Sequence, residues 1–163
     1  MFRMKDALFL VCICFVSTTT FAQETPASPE DLQLSQELRA LLQAEMRELA
    51  GASQAVTSAF VMGDWQSIQR ISEQIRASYI MERNISDTQK QELRDKLPAH
   101  FKRLDADFHA RAERLGSAAA AEDPEIVAFH YYRMLETCAT CHAAFAKSRF
   151  PGFSSAAPED HHH

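Results

Sequence analysis

The chain has 163 residues, with 17 Lys and Arg against 22 Asp and Glu, so its formal net charge at pH 7 is −5. A mildly acidic surface argues against binding to nucleic acid or to anionic lipid. The sequence has only four glycines and is rich in Ala, Leu, Glu, Gln and Arg, a composition that favours helices. The length predicts a single folded domain.

The first 22 residues have the pattern of a secretory signal peptide. Arg3 and Lys5 form a short basic region, residues 7–17 are apolar, and small residues precede a plausible cut after Ala22. The apolar run is too short to span a bilayer comfortably, and a retained membrane anchor is the alternative. We therefore predict a signal peptide over 1–22, a helical domain over 23–153 and a short flexible tail over 154–163.

The first predicted helix opens at Ser28-Pro29, because proline is favoured at the first helical position. It continues to about Met62, with apolar residues in steps of three and four, and Gly63 is its predicted stop. The residues of this stripe are Leu38, Leu42, Met46, Leu49, Ser53, Val56 and Phe60.

The second predicted helix is capped by Asp64 and runs to about Met81. The polar connector that follows contains Ser86 and Gln89, a capping-box pattern that predicts a short helical piece. Leu97-Pro98 then opens the next long helix.

The last predicted helix starts at Asp123-Pro124, an N-cap followed by a first-turn proline, and runs to about Arg149. Its inner side carries Val127, Tyr131, Met134, Cys138, Cys141 and Phe145. Four amphipathic helices with short connections predict an all-α fold, an antiparallel four-helix bundle.

The most specific motif is Cys138-Ala139-Thr140-Cys141-His142, the C-x-x-C-H signature of covalent c-type haem attachment. The two thiols add across the haem vinyl groups, and the histidine supplies an axial nitrogen to the iron. At about 100° per residue, Cys138, Cys141 and His142 fall on one face of a helix. Removal of the signal peptide leaves no other thiol in the chain.

Two other site types use the C-x-x-C spacing. A structural zinc site needs two more ligands at matching spacing, and the sequence has no second cysteine pair of that kind. A redox dithiol follows a strand in a βαβ unit, and the helical pattern offers no such unit.

A haem motif at the C-terminal end of the last helix resembles the cytochrome c′ family, the class II c-type cytochromes. Residues 44–52 resemble the first-helix segment that packs over the haem in that family, and Phe145 stands three residues after the axial histidine. The resemblance implies one covalent haem c held mainly by the last helix, in a protein exported to the bacterial periplasm. Ala146 departs from relatives that often have Arg or Lys there.

The resemblance also implies that the sixth iron ligand decides the function. Met46 matches the position of the ligating methionine in one branch of the family, although methionine on an apolar stripe is usually packing. The first hypothesis is therefore that Met46 binds the iron, and the second is that the sixth position is open or capped by an apolar side chain. The third is that His109, one turn from Asp105, is the ligand. Tyr131 and Phe145 are expected to line the haem pocket.

We therefore expect a one-electron carrier that is not an enzyme, with redox partner proteins that the sequence does not identify. The alternative is a five-coordinate cytochrome c′ that binds nitric oxide or carbon monoxide. A peroxidase-like enzyme needs an acid-base pair over the iron, for which His109 and Asp105 are the nearest candidates. A homodimer is possible because relatives often pair through their first two helices.

Overall fold

The computed structural model describes residues 32–81 and 85–153, and this part of the chain is all-α, with five helices, a 3₁₀ turn and no strand. The elements are α1 Gln36–Met62, α2 Trp65–Arg76, α3 Asp87–Lys96, α4 Ala99–Ala120, α5 Pro124–Phe145 and the turn Pro151–Phe153. None of these helices combines the length and apolar character needed to cross a membrane. The predicted signal peptide and the predicted tail lie outside the described residues.

Local sequence signals begin and end several helices where they were predicted. Asp64, Ser86 and Asp123 each accept a backbone N–H from the first turn of the helix that follows. The predicted capping box of Ser86 and Gln89 is confirmed, and it opens α3. Gly63 ends α1 in the left-handed conformation, at φ 69°, where glycine carries no steric penalty.

The start of α1 differs from the prediction, because residues 32–35 are not helical and the helix begins at Gln36. Ser35 is the cap, and its Oγ accepts the N–H of Leu38 at 3.4 Å. The N–H of Ser35 donates to Oε1 of Glu92 in α3 at 2.6 Å. A partner in a distant helix therefore satisfies the backbone at this end, which a local pattern does not reveal.

The predicted end of α2 near Met81 is wrong, because the helix ends at Arg76. Ser78 adopts a positive φ of 55°, which turns the chain out of the helix. The carboxylate of Glu45 in α1, only 3% exposed, then accepts three successive backbone N–H groups. The donors are Tyr79 at 2.9 Å, Ile80 at 2.6 Å and Met81 at 3.2 Å.

The last helix also ends earlier than predicted, at Phe145 rather than near Arg149. The N–H of Ala146 donates to the carbonyl oxygen of His142 at 3.0 Å. The N–H groups of Arg149 and Phe150 both donate to the carbonyl oxygen of Ala146, at 3.1 and 3.0 Å. Ala146 itself leaves the helical conformation, with φ −142° and ψ 30°, and the turn after it places Phe150 against His142 of α5.

The buried core is made by α1, α2, α4 and α5, and the main helix contacts join α2 to α4, α4 to α5 and α1 to α2. Small side chains let α2 and α4 approach closely, because a Cβ on Gly116 would lie 3.2 Å from the Cβ of Ser72. The core residues are Ala52, Val56, Ala59, Ile68, Ile71, Ile75, Ala112, Leu115, Ala118, Ala119, Val127 and Met134.

Replacement of Glu45 by alanine is expected to lower the free energy of unfolding by about 3 kcal/mol, because buried N–H groups lose a charged acceptor. Glu48→Ala is the matched control, since Glu48 is exposed one turn further along α1, and its effect should stay within about 0.5 kcal/mol. Urea unfolding followed by circular dichroism measures both variants. Equal unfolding midpoints for the two variants would contradict the stabilising role of the Glu45 carboxylate.

Candidate functional site

The last two turns of α5 carry Cys138, Cys141 and His142, all of them half-buried. At about 100° per residue the three positions fall within an arc of roughly 100° on one side of the helix. Asp123 caps the other end of α5 and accepts two backbone N–H bonds of 3.1 Å each. The structure therefore brings the three predicted residues together on one surface.

Both cysteines are free thiols. Burial raises the pKa of Cys138 above its ordinary value. Burial also raises the pKa of Cys141 to about 11, and the negative charge of Asp105 and the proximity of the Cys138 thiol raise it further. At neutral pH the folded chain thus keeps both sulfurs as neutral thiols.

His142 follows directly, and burial lowers the pKa of its imidazole, with the positive charge of Arg149 as a second cause. The neutral form is the one that binds a metal ion. Neither ring nitrogen has a hydrogen-bond partner among the described residues. The ring of Phe150 instead lies parallel to the imidazole, with centroids 4.5 Å apart and an angle of 14° between the planes.

Phe145, predicted as a pocket residue, packs towards α4. Its ring centroid lies 5.5 Å from that of Phe101 and 5.6 Å from that of His100, both in edge-to-face contact. These three rings form a cluster beside the start of α4. Phe145 therefore joins the C-terminal end of α5 to the helix that precedes it.

Tyr131, the other predicted pocket residue, joins α5 to α1. Its hydroxyl donates to the carbonyl oxygen of Ser53 at 2.7 Å and lies 2.9 Å from Oγ1 of Thr57. Tyr131 stands seven residues before Cys138, which is about 10 Å along the helix axis. This contact joins α5 to α1 two turns before the first cysteine.

Met46 lies on α1 but outside its buried face, with 38% of its surface exposed. The fully or nearly buried positions of α1 are Leu38, Glu45, Ala52, Val56 and Ala59. Leu135 on α5 is exposed to a similar extent, 39%. Two sizeable apolar side chains, one on α1 and one on α5, thus remain accessible to solvent.

His109, the alternative ligand, is engaged elsewhere. Its Nδ1 donates to the carbonyl oxygen of Ile75 at 2.9 Å, because a carbonyl can only accept. Its Nε2 lies 3.7 Å from Oδ1 of Asp105. The imidazole therefore ties α4 to the end of α2.

Sequence reasoning missed two residues that shape this region, Glu45 and Phe150. A carboxylate inside an apolar stripe is normally assigned to solvent, although Glu45 stands seven residues from both Leu38 and Ala52. That heptad spacing was the available signal. Phe150 lies beyond the predicted helix, and no local pattern indicates that its ring reaches His142.

Two free thiols and a neutral imidazole on one helix face match the donor set that covalent haem requires. No group of three or more His, Cys, Asp or Glu side chains within residues 32–81 and 85–153 is arranged to hold a metal ion. Searches against protein-family models, curated proteins and solved structures find no match to this chain.

In chain produced without haem, the raised pKa of Cys141 should delay alkylation by iodoacetamide, because only the thiolate reacts. The folded thiol should react with a midpoint near pH 11, against about 8.5 in urea. Burial favours the neutral thiol, so this contribution to stability is present below the unfolded pKa and is lost as the pH rises towards 11. Mass spectrometry of Cys141 at each pH measures the extent of alkylation in the folded and in the urea-unfolded chain. Identical pH profiles for the two states would contradict the burial of the Cys141 thiol.

Proposed function

We propose that this chain is a periplasmic c-type cytochrome of the cytochrome c′ kind that carries one electron. In this proposal Cys138 and Cys141 hold one haem c through thioether bonds, and His142 is an axial ligand of the iron. Met46 is the second axial ligand. The haem supplies the one-electron chemistry, the cycling of iron between the ferric and ferrous states.

The observation that carries the proposal is the shared face of Cys138, Cys141 and His142 on α5. In each attachment a thiol adds across a vinyl double bond: the sulfur joins one carbon and the proton ends on the other, so no oxidant is consumed. The residues between the cysteines do not obstruct this face, because Ala139 and Thr140 are exposed. A neutral imidazole one residue after Cys141 completes the set.

The proposed arrangement is an antiparallel four-helix bundle of α1, α2, α4 and α5, with α3 in the connection. Two residues join α1 to α2 and three join α4 to α5, and such short links favour antiparallel neighbours. His109 of α4 bonds to Ile75 of α2, and Gly116 approaches Ser72. Residue numbers thus rise along α4 as they fall along α2, which supports opposite directions for that pair.

The register between α1 and α5 supports Met46 as a ligand. Tyr131 bonds to Ser53, Cys138 follows Tyr131 by seven residues, and Met46 precedes Ser53 by seven. Seven residues return a helix to within about 20° of the same face. In antiparallel helices Met46 therefore stands at the level of Cys138, on the side of α1 that carries Ser53.

The proposal gives this protein no catalytic residue and makes electron exchange with a redox partner protein its function. An acid-base pair for peroxidase-like chemistry is not part of it, since Nδ1 of His109 is held by the carbonyl of Ile75. Export through residues 1–22 provides the compartment in which the haem is attached.

The partial exposure of Met46 favours a second candidate, a five-coordinate form that binds nitric oxide or carbon monoxide.

Replacement of both cysteines, Cys138→Ala with Cys141→Ala, is expected to abolish covalent haem, because the exported chain then has no thiol. Haem staining after denaturing electrophoresis measures this. Thr140→Ala is the matched control, since Thr140 is exposed within the same motif, and it should stain like the wild type. Staining that persists in the double variant would overturn the attachment.

The Met46→Ala variant is expected to convert a low-spin ferric spectrum into a high-spin one and to open the iron to carbon monoxide. Its reduction potential should fall, because a thioether ligand favours the ferrous state and raises the potential. Visible spectroscopy and redox titration measure the two effects. Met62→Ala, at the exposed end of the same helix, should leave both unchanged.

The outcomes of this experiment separate the two functions. Low spin that survives Met46→Ala would remove Met46 as a ligand while leaving the haem protein intact. High spin in the wild type would also remove it and would favour gas binding over electron transfer.

A further inference from the structure

The chain after α5 turns back on the helix and places Phe150 against His142. Three backbone bonds define this turn. The N–H of Ala146 donates to the carbonyl oxygen of His142, and the N–H groups of Arg149 and Phe150 both donate to the carbonyl oxygen of Ala146. The N–H of Phe153 then donates to the carbonyl oxygen of Phe150 at 3.0 Å. Backbone bonds on both sides of Phe150 therefore hold its position.

The contact between the two rings is a parallel stack. The ring planes of Phe150 and His142 differ by 14° and their centroids are 4.5 Å apart. The other ring pairs of the described residues meet edge to face, at 62–75°. A ring stacked on the face of an imidazole leaves both nitrogens free at the edge, so the contact does not compete with binding of iron.

A histidine ligand needs something to hold its orientation. The χ2 torsion of histidine is broad, and metal-binding histidines usually donate their second N–H to a carboxylate or a carbonyl, which fixes the ring. The described residues offer His142 no such partner. The stack supplies the restraint instead, since rotation about χ2 would drive the edge of the imidazole into the ring of Phe150.

We propose that Phe150 is a positioning residue that sets the plane of the axial imidazole of His142. The inference rests on the proposed function, because it concerns the orientation of His142 about its bond to iron. That orientation determines how unpaired electron density is distributed over the porphyrin. It is therefore visible in the hyperfine-shifted haem methyl resonances of the ferric protein.

Proton NMR of the ferric, haem-loaded protein tests the inference with three variants. Phe150→Leu removes the flat ring but keeps an apolar side chain, and the haem methyl resonances should change in order or spread. Phe150→Tyr keeps the stack and should retain the wild-type pattern. Phe153→Leu is the matched control in the same turn, 42% exposed, and should also match the wild type.

The possible failures can be told apart by haem staining of each preparation before the NMR experiment. A wild-type chain that takes up no covalent haem would overturn the proposed function and this inference together. A haem-loaded Phe150→Leu protein with the wild-type methyl pattern would overturn the inference alone. So would a Phe150→Tyr protein whose pattern shifts as far as that of Phe150→Leu.

Discussion

The carboxylate of Glu45 accepts hydrogen bonds from three successive backbone N–H groups, and much of the molecule depends on that contact. A buried carboxylate is costly unless several donors surround it, and residues 79–81 provide them. The bonds leave no continuation for α2 and hold the following segment against α1. They also fix the rotation of α1 about its axis, since Glu45 must face inward.

The rotation of α1 has a consequence for the candidate site. Met46 follows Glu45 and lies about 100° further around the helix, so it stands at the edge of the buried face. The bond from Tyr131 to Ser53 then joins this side of α1 to α5. One buried carboxylate and one tyrosine hydroxyl thus fix the rotation of α1 and the position at which α5 is joined to it.

The C-terminal end of α5 is supported on two sides. Phe145 packs against Phe101 and His100 of α4, and Phe150 covers a face of the His142 ring. The thiols between these contacts are half-buried, which keeps them neutral. Aromatic packing, more than hydrogen bonding, therefore holds the imidazole that follows the cysteines.

By itself the sequence determined what depends on neighbouring residues. Gly63, Ser86 and Asp123 act within one turn of the chain, so a local pattern was enough to predict the helix boundaries they set, and the helical spacing of Cys138-Ala139-Thr140-Cys141-His142 was enough to predict a shared face. Only the tertiary structure decided the ends of α2 and α5, the burial of Glu45 and the stack on His142. The end of α2 and the burial of Glu45 depend on hydrogen bonds between residues 34 to 36 positions apart, which meet only after the helices pack. The end of α5 and the stack depend on how the chain turns after Ala146, and ring contacts of this kind leave no pattern in the order of the residues.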